Sequence, residues 1–447
     1  MFENETRLTD HGNESIREPL LTVCEYALRR VHPSVSVENA VSSVDGTLSV
    51  DGVEYDLDAV DDVYVIAAGK GSSAAAETLQ RILGDDLTAG IVVEKHGQKR
   101  DVSGVEVLEA SHPIPDETGS DAARKVTALA DEAGENDVVF ACITGGASAQ
   151  LVSPPEGVTV DELATLTRLL LNAGVRIDEV NAVRKHVSDI KGGQLRESIE
   201  PATPITLVLV DEVAGEPWGP TAPDETTYHD AIRVLRRHDL WEETPRSIRT
   251  HLRRGANGEI PETPSEIRQE TGRTVVLADA TDVCEAACGK ARELGYNSTI
   301  LSSVIEGESQ DVGIVLASIG KEISRSDRPI ETPCILVSGG ETTVSLDDDG
   351  GRGGPNQELA VRVATEIDRI TDVGLLAIGT DGTDGPTDIA GGLVDDRTAG
   401  RAREQNVDLF DHLARHDTSP ALESLSDAVY TGATGTNVMD LRLLIVE

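Results

Sequence analysis

The stretch Val63–Gln80, VYVIAAGKGSSAAAETLQ, decides the fold class. An apolar run enters the turn Gly69-Lys70-Gly71, and a helix-forming segment follows at once. This order is typical of parallel α/β sheets, whose ligands bind beyond the carboxyl ends of the strands. A lysine at the start of a helix adds positive charge where backbone N–H groups already attract anions. We therefore expect Lys70 to contact an anionic ligand.

Strand and helix patterns alternate along the rest of the chain, which predicts an α/β fold with mainly parallel sheet. Asp51-Gly52 predicts a hairpin turn. Buried strands are expected at 63–69, 90–95, 105–111, 137–146 and 203–212, and helices at 72–83, 118–134, 161–174 and 178–191. The proline-containing stretch 242–272 is the best candidate for a domain boundary, although part of it has a helical pattern. Further strands, ending with DLRLLIVE, indicate a second α/β domain.

The 447-residue chain carries a formal net charge of −41, with 31 arginines but only eight lysines. Because the acidic residues are spread along the chain, we interpret this surface as that of a cytoplasmic protein in a high-salt cell. A cation-binding or acidic-tail protein would concentrate them in blocks. The charge argues against nucleic acid as a partner. Five cysteines without a CxxC pair, a polar N-terminus and the lack of long apolar runs predict a cytoplasmic protein with reduced thiols and no membrane span.

Three glycine-rich turns follow apolar strands and are candidate phosphate-binding loops: 69–73, 144–148 and 338–342. The first also fits GxGxxA, with Glu94 at the end of the next strand, which is the spacing of a dinucleotide-binding turn. Lys70 favours instead a group that takes on phosphoryl charge. Each turn, taken alone, is also compatible with a simple connection between elements.

The segment NAVRKHVSDIKGGQL presents a polar face opposite an apolar one if it is helical. The apolar stripe is Val180, Val183, Val187 and Ile190, and the polar face is Asn181, Arg184, Lys185, Ser188 and Lys191. In so acidic a chain this face predicts an anionic ligand, although a solvated basic face would look the same. His186 is expected to be structural.

The acidic loop GTDGTDGPTD contains Asp381, Asp384 and Asp388. Such a loop can hold Mg²⁺ together with phosphate oxygens, or accept a hydroxyl proton. It can equally be a plain turn, since Asp and Gly both favour turns.

Nine motifs together carry a family resemblance: AAGKGSSA, ASHPIPDE, ITGGASAQL, NAVRKHVSDIKGGQL, GPTAPDETT, SGGETTV, GGPNQELA, GTDGTDGPTD and TGATGTNVMDL. With these in order, the chain resembles the class II glycerate kinases, the glycerate 2-kinase family with a C-terminal MOFRL domain. The resemblance implies transfer of the ATP γ-phosphoryl group to the 2-hydroxyl of D-glycerate, with Mg²⁺. It also implies a Rossmann-like, doubly wound domain at 1–255 and a smaller MOFRL α/β domain at 256–447, around a cleft with the active site. The last strand could pack back on the first domain.

Motifs and resemblance together assign the site residues. Catalysis is assigned to Lys70, Asp381 and Arg352, and nucleotide binding to Gly69, Gly71, Ser72, Gly145, Gly146, Ser148, Gly339, Gly340, Glu341 and Asn356. Substrate binding is assigned to Arg184, Lys185, Lys191 and Asp384, and the metal to Asp211 and Asp381. The partners are D-glycerate and ATP, with no membrane and a monomer or homodimer as the assembly.

Two departures from the family pattern affect these assignments. Pro355 stands where the family commonly has a functional arginine, and Arg352 is the nearest replacement. Residues 210–216 replace the usual SDVxGD motif, with Val210 in place of a hydroxyl residue and Glu216 keeping a carboxylate. Two other functions stay open: an NAD(P)H-dependent hydroxypyruvate reductase, favoured by GxGxxA and Glu94, and a non-catalytic sensor of nucleotides or organic acids.

Overall fold

The computed structural model describes residues 1–210, 219–266, 272–346 and 350–447. Its strands are β1 (Val41–Val44), β2 (Thr47–Val50), β3 (Val53–Asp56), β4 (Val63–Ala68), β5 (Leu87–Lys95), β6 (Val105–Ala110), β7 (Val138–Ile143), β8 (Thr203–Leu209), β9 (Arg273–Ala278), β10 (Asn297–Ile305), β11 (Cys334–Gly340), β12 (Val373–Gly379), β13 (Gly391–Asp395), β14 (Ala428–Val429) and β15 (Asp440–Val446).

The helices of the same residues are α1 (Glu5–Thr9), α2 (Glu14–Arg30), α3 (Pro33–Ala40), α4 (Ser72–Leu83), α5 (Glu117–Glu132), α6 (Ala147–Gln150), α7 (Val160–Asn172), α8 (Ile177–Lys185), α9 (Gln194–Ile199), α10 (Tyr228–Arg237), α11 (Arg246–Ala256), α12 (Ala280–Glu293), α13 (Ser309–Ser326), α14 (Pro355–Glu366), α15 (Thr398–Glu404), α16 (Leu409–Ala414) and α17 (Thr418–Leu425). Short 3₁₀ turns occupy Leu57–Ala59 and Gly84–Asp86.

The chain folds into two compact units. The parallel-sheet unit comprises Ser36–Leu209 and the described part of 217–277, and the mixed-sheet unit comprises Met1–Val35, Val210 and Ala278–Glu447. This division differs from the single break predicted at 255/256. The first 35 residues belong with the C-terminal sheet, and β9 belongs with the N-terminal one.

The sheet of the parallel-sheet unit has the order β6-β5-β4-β7-β8-β9, and the pairs from β6 to β8 are parallel. Counted along the chain, this is the order 3-2-1-4-5-6 of a doubly wound dinucleotide-binding fold. The strand order reverses between β4 and β7. In such sheets ligands bind beyond the carboxyl ends of the strands at this reversal, which is where the turn with Lys70 lies.

Buried aliphatic side chains hold the parallel-sheet unit together. Strand β4 is buried along nearly its whole length because it is central, and α4 packs against it with Ala75, Ala76 and Leu79. The predicted hairpin is confirmed as β2 and β3, part of a small antiparallel sheet whose Leu48 and Val50 join the same core. A second core lies among α7, α8, α10 and α11.

The sheet of the mixed-sheet unit has the order β10-β11-β15-β12-β13-β14. Only the pair β10–β11 is parallel among its described pairs. The last strand, β15, for which packing back on the first domain was one expectation, lies in the middle of this sheet between β11 and β12. Its residues from Asp440 to Val446 are all buried, as the apolar run DLRLLIVE indicates.

The N-terminal helix α2 is fixed in the mixed-sheet unit by a buried arginine. Arg17 is fully buried, and its guanidinium donates to the carboxylates of Asp395 and Asp427. A buried charge is tolerated only when it is paired, so this contact places α2 firmly on the C-terminal sheet. Sequence patterning alone offered no sign of this long-range pairing.

Candidate active site

The turn between β4 and α4 positions Lys70 at the reversal of strand order. Gly69 and Gly71 both have positive φ, +115° and +77°, and Gly71 is the N-cap residue of α4. A side chain at Gly69 would lie 2.2 Å from the backbone oxygen of Thr144, so glycine is required there for the two turns to approach. The backbone N–H of Lys70 donates to the carbonyl of Gly145 at 2.8 Å. Two of the three predicted glycine turns therefore meet, as expected.

The N-terminus of α4 is already occupied by a side chain of the protein itself. The buried carboxylate of Glu94 accepts hydrogen bonds from the backbone N–H groups of Gly71 at 3.2 Å and Ser73 at 3.1 Å. Burial raises the pKa of Glu94, although these donors favour its charged form. Glu94 therefore does not have the role of a ribose-binding acid. The predicted nucleotide residue Ser72 is also buried, with its hydroxyl against Val93 and Glu94.

Ser148, in the second glycine turn, borders a pocket of about 370 Å³, a volume that includes solvent at its mouth. Its polar lining residues are Ser148, Ser153, Thr167, Arg184, Ser188 and Lys191, and its apolar ones are Pro115, Ala149, Val152, Leu163, Leu166 and Val187. We call this cavity the anion pocket. It brings together three of the predicted site residues, Ser148, Arg184 and Lys191.

Two cations share the anion pocket without an anionic partner. Among the described residues, no carboxylate forms an ion pair with Arg184 or Lys191; the Lys191 ammonium donates to the carbonyl of Leu151. Burial lowers the pKa of Arg184. Burial, together with the charge of Arg184, lowers the pKa of Lys191 to about 7. Because each desolvated cation disfavours the other, an anion bound between them would relieve both.

Lys185, which was predicted to bind substrate, forms an ion pair within the protein. Helix α8 ends at Lys185 rather than continuing to residue 191, and the ammonium of Lys185 lies 3.1 Å from Asp224 in an ion pair. Asp224 is buried and also accepts from the hydroxyl groups of Thr226 and Thr263. The predicted apolar stripe is buried as expected. His186 is structural, with Nδ1 hydrogen-bonded to the carbonyl of Ala182.

In the mixed-sheet unit, the acidic loop follows β12 and has two distinct aspartates. Asp381 is half-buried, and its Oδ1 accepts from the N–H and the hydroxyl of Thr383, both at 2.9 Å. Asp384 is buried and accepts from the backbone N–H groups of Asn356 at 2.9 Å and Gln357 at 2.8 Å. It therefore caps helix α14 from a distant loop, and both of its carboxylate oxygens accept hydrogen bonds within the protein.

The same cap explains Pro355. Proline is the first residue of α14, where its missing N–H leaves no bond unmade, and the N-cap residue Gly354 has no side chain to cap the helix. Asp384 supplies the missing acceptor. Pro355 is thus compatible with the local fold.

A buried polar network next to this cap was not predicted. Asp440, the first residue of β15, accepts from the side-chain amide of Asn356 at 2.7 Å, and its pKa is raised by burial. The buried Arg442 donates to Asp440 and to the hydroxyl of Thr342. The motif TGATGTNVMDL contains Asp440, but nothing in its spacing indicated a link to Asn356. Asn356 thus serves this network, with its Oδ1 buried and unpartnered.

The other predicted site residues of the mixed-sheet unit contact nearby protein groups or solvent. Arg352 is exposed and pairs with Glu423, 2.5 Å away, which raises the pKa of Arg352. The structure thus gives Arg352 a surface partner different from the predicted ligand. Gly339 and Gly340 are the last residues of β11 and pack beside β10, and Glu341 is exposed.

The predicted metal ligands are only partly described. Asp211 lies outside the described residues, as do residues 212–216 of the altered SDVxGD motif. Within the described ranges, no group of three or more His, Cys, Asp or Glu side chains is arranged to hold a metal ion. Within them, too, no helix combines the length and apolar character needed to span a membrane.

Comparison with known families gives two matches. Residues 19–253 match the family described as a domain of unknown function, DUF4147, and residues 334–440 match the MOFRL family. The two matches follow one another along the chain, in the order that the sequence motifs predict.

Several known proteins are similar over nearly the whole chain. The chain is 39% identical to a glycerate 2-kinase of Pyrococcus horikoshii over 96% of this chain and 97% of the relative. It is 34% identical to the crystal structure of a glycerate kinase from Thermotoga maritima, with a TM-score of 0.84 over 97% and 100% of the two chains. A protein of Agrobacterium vitis named as a hydroxypyruvate reductase, itself without established activity, is 35% identical over 86% of this chain and 98% of the relative.

Proposed function

Because the chain belongs to the glycerate kinase family with DUF4147 and MOFRL domains, we propose that it transfers the γ-phosphoryl group of ATP to the 2-hydroxyl of D-glycerate. The observation that carries this proposal is the similarity to relatives named as glycerate kinases along almost the whole of both chains. A shared fold alone would support less, since one fold supports many activities.

The anion pocket supports an acidic acceptor. D-Glycerate carries one carboxylate, and Arg184 and Lys191 offer two cations that no described carboxylate neutralises. A guanidinium can hold a carboxylate through two parallel hydrogen bonds. We assign the carboxylate of the acceptor to this pair, with the hydroxyl of Ser148 as a further contact at the pocket wall.

In the reaction, the 2-hydroxyl oxygen forms a bond to the γ-phosphorus while the bond from that phosphorus to the β-bridging oxygen of ATP breaks. The hydroxyl proton passes to a base, and negative charge shifts towards ADP. Such transfers depend on positioned cations more than on covalent chemistry. We propose that Lys70 stabilises this charge and that Asp381 accepts the proton. Arg352 has no part in this proposal, since Glu423 pairs with it.

The proposed reaction would use Mg²⁺, and this ion needs only a few ligands from the protein. Mg²⁺ commonly binds one or two carboxylates together with substrate phosphates and water. Asp381, on a loop at the end of a strand, meets that limited requirement, although one of its oxygens already accepts from Thr383. When bound with ATP, Mg²⁺ would neutralise phosphate charge.

Glu94 argues against the reductase alternative. A dinucleotide-binding turn leaves the first N–H groups of its helix for the pyrophosphate and an acid for the ribose. Here Glu94 bonds those N–H groups itself, at Gly71 and Ser73. The GxGxxA spacing therefore reflects a capped strand-to-helix turn.

Paired assays in molar potassium chloride test the proposal. One arm contains D-glycerate, ATP and Mg²⁺, and the other contains hydroxypyruvate with NADH or NADPH. We expect ADP formation only in the first arm, and a loss of about 10²–10³ in rate for Lys70→Ala. Lys125→Ala, on an exposed lysine paired with Glu106, is the matched control. Oxidation of NADH or NADPH without ADP formation would reject the kinase.

A further inference from the structure

A second pocket in the parallel-sheet unit has no role in the proposed reaction. Its lining residues are Gly193, Arg196, Glu197, Glu200, Thr221, Pro223, Pro264 and Glu266. Its volume is about 290 Å³, including solvent at the mouth. We call it the Arg196 pocket. It follows directly on the turn that carries Lys191, but it shares no lining residue with the anion pocket.

This pocket is lined by a buried arginine whose hydrogen-bonding capacity is only partly used by the described residues. Arg196 is only 4% exposed, and its Nε and Nη2 atoms are buried with no hydrogen-bond partner within the described ranges. Burial lowers the pKa of Arg196, an effect that the charge of Glu200 opposes only in part. Buried guanidinium N–H groups that make no hydrogen bond are costly to the fold, so an acceptor bound in the pocket would stabilise Arg196.

Gly272 and Thr221 shape the space beside this guanidinium so that an anion could bind there. A side-chain carbon at Gly272 would lie 2.3 Å from Nη2 of Arg196, so glycine leaves the space that the guanidinium occupies. Thr221, which lines the same pocket, is 1% exposed, and its hydroxyl has no hydrogen-bond partner in the described part of the chain. A carboxylate bound here would accept from both groups.

The other charged residues that line the Arg196 pocket are acidic. Glu197 and Glu266 are exposed and Glu200 is half-buried. These carboxylates would repel a ligand that is only anionic, and Arg196 would repel one that is only cationic. A small molecule with an anionic and a cationic group satisfies both ends of the pocket.

We propose that the Arg196 pocket binds a small zwitterion of the α-amino acid type, with its carboxylate on Arg196 and Thr221 and its ammonium group towards the glutamates. This site is separate from glycerate phosphorylation and does not depend on that assignment. The mixture of one arginine and three glutamates indicates the class of ligand. The Arg196 guanidinium and the Thr221 hydroxyl indicate where its carboxylate binds.

Calorimetric titration of the whole protein in molar potassium chloride tests the proposal. The probes are glycine and L-serine as zwitterions, acetate as a carboxylate alone, and ethylamine as an amine alone. We expect the zwitterions to bind and to raise the melting temperature, and acetate and ethylamine to bind at least about tenfold more weakly. Equal binding of acetate and glycine would overturn the zwitterion assignment, as would binding of none of the four.

Variants locate the binding. Arg196→Leu should weaken glycine binding at least about tenfold, Thr221→Val should weaken it less, and Glu200→Gln should weaken glycine but not acetate. Arg168→Leu, at an exposed arginine of α7, is the control and should bind like wild type. Melting curves without ligand identify any variant that fails to fold, and Arg196→Lys then replaces Arg196→Leu. Undiminished glycine binding in a folded Arg196 variant would overturn the proposal.

Discussion

The guanidinium of Arg184 and the ammonium of Lys191 border one pocket, and the charge of Arg184 together with burial lowers the pKa of Lys191 to about 7. This shift opposes the usual behaviour of a lysine, which stays charged well above neutral pH. A carboxylate bound between the two would favour the protonated lysine again. The pocket therefore couples binding of an acid to uptake of a proton.

This coupling predicts a pH-dependent affinity for D-glycerate. Below pH 7 Lys191 is protonated and binds the carboxylate, and above pH 7 it loses its charge in the empty pocket. We expect KM for D-glycerate to rise between pH 6.5 and 8.5, by up to about tenfold per pH unit. Lys191→Arg keeps its charge and should flatten the profile, whereas Lys185→Arg, paired with Asp224, should not. A flat wild-type profile would contradict the role of Lys191.

The two arginines considered for the acceptor should behave differently. Arg184→Ala removes a half-buried cation of the anion pocket, so kcat/KM for D-glycerate should fall by an amount equivalent to a few kcal/mol of transition-state free energy. Arg352→Ala removes an exposed pair with Glu423 and should cost well under about 1 kcal/mol. Steady-state kinetics with both substrates measures the difference. A crippled Arg352→Ala enzyme with a normal Arg184→Ala enzyme would reverse the assignment.

Removing the carboxylate of Glu94 should destabilise the parallel-sheet unit. Glu94→Ala leaves the N–H groups of Gly71 and Ser73 without their acceptor, so we expect a loss of at least about 2 kcal/mol in the free energy of unfolding. Glu94→Gln keeps one acceptor oxygen and should lose less. Denaturant titration in molar salt measures both variants. Unchanged stability in Glu94→Ala would show that the cap contributes nothing.

Substitutions of the two aspartates in the acidic loop should have different effects, one on stability and the other on catalysis. Asp384→Ala removes the cap of α14 and should lower the free energy of unfolding by about 2 kcal/mol or more. Asp381→Ala should leave stability almost unchanged while lowering kcat about 10²-fold or more, because the base is lost. Melting curves and kinetics on the same samples test this pair. The opposite pattern would exchange their roles.

Salt should stabilise the fold. At a net charge of −41, repulsion within the chain opposes compaction in dilute buffer, and molar salt shortens its range to about 3 Å. We therefore expect the melting temperature to rise as potassium chloride is increased from about 0.1 M to about 3 M. A melting temperature that is flat, or highest in dilute buffer, would show that the acidity serves another purpose.

Local patterns predicted the local structure well. The alternation of strands and helices predicted an α/β fold with mainly parallel sheet, which describes the parallel-sheet unit but not the mixed-sheet unit. Helix α4 begins and ends as its flanking glycines indicate. The boundary between the units was not predictable in the same way. It depends on Arg17 reaching Asp395 and Asp427, which are 378 and 410 residues away along the chain. Pairing over such a distance leaves no trace in local periodicity.

Part of the candidate site was also predictable from the sequence, namely its cations, whereas the role of its acids was not. The positive face at Arg184 and Lys191 follows from residue type in an acidic chain. Residue type cannot distinguish an acid that binds a ligand from one that caps a helix, because both need a carboxylate near N–H groups. Glu94 and Asp384 are therefore recognisable only once the helices they cap are in place.

The position of the transferred phosphate tests the central claim most directly. The purified protein is incubated in molar salt with D-glycerate, ATP and Mg²⁺, and the product is then given to enolase without phosphoglycerate mutase. Enolase dehydrates 2-phosphoglycerate to phosphoenolpyruvate but does not act on the 3-phosphate. We predict that phosphoenolpyruvate forms in proportion to the ADP released. ADP release without phosphoenolpyruvate, or no ADP release, would contradict a glycerate 2-kinase.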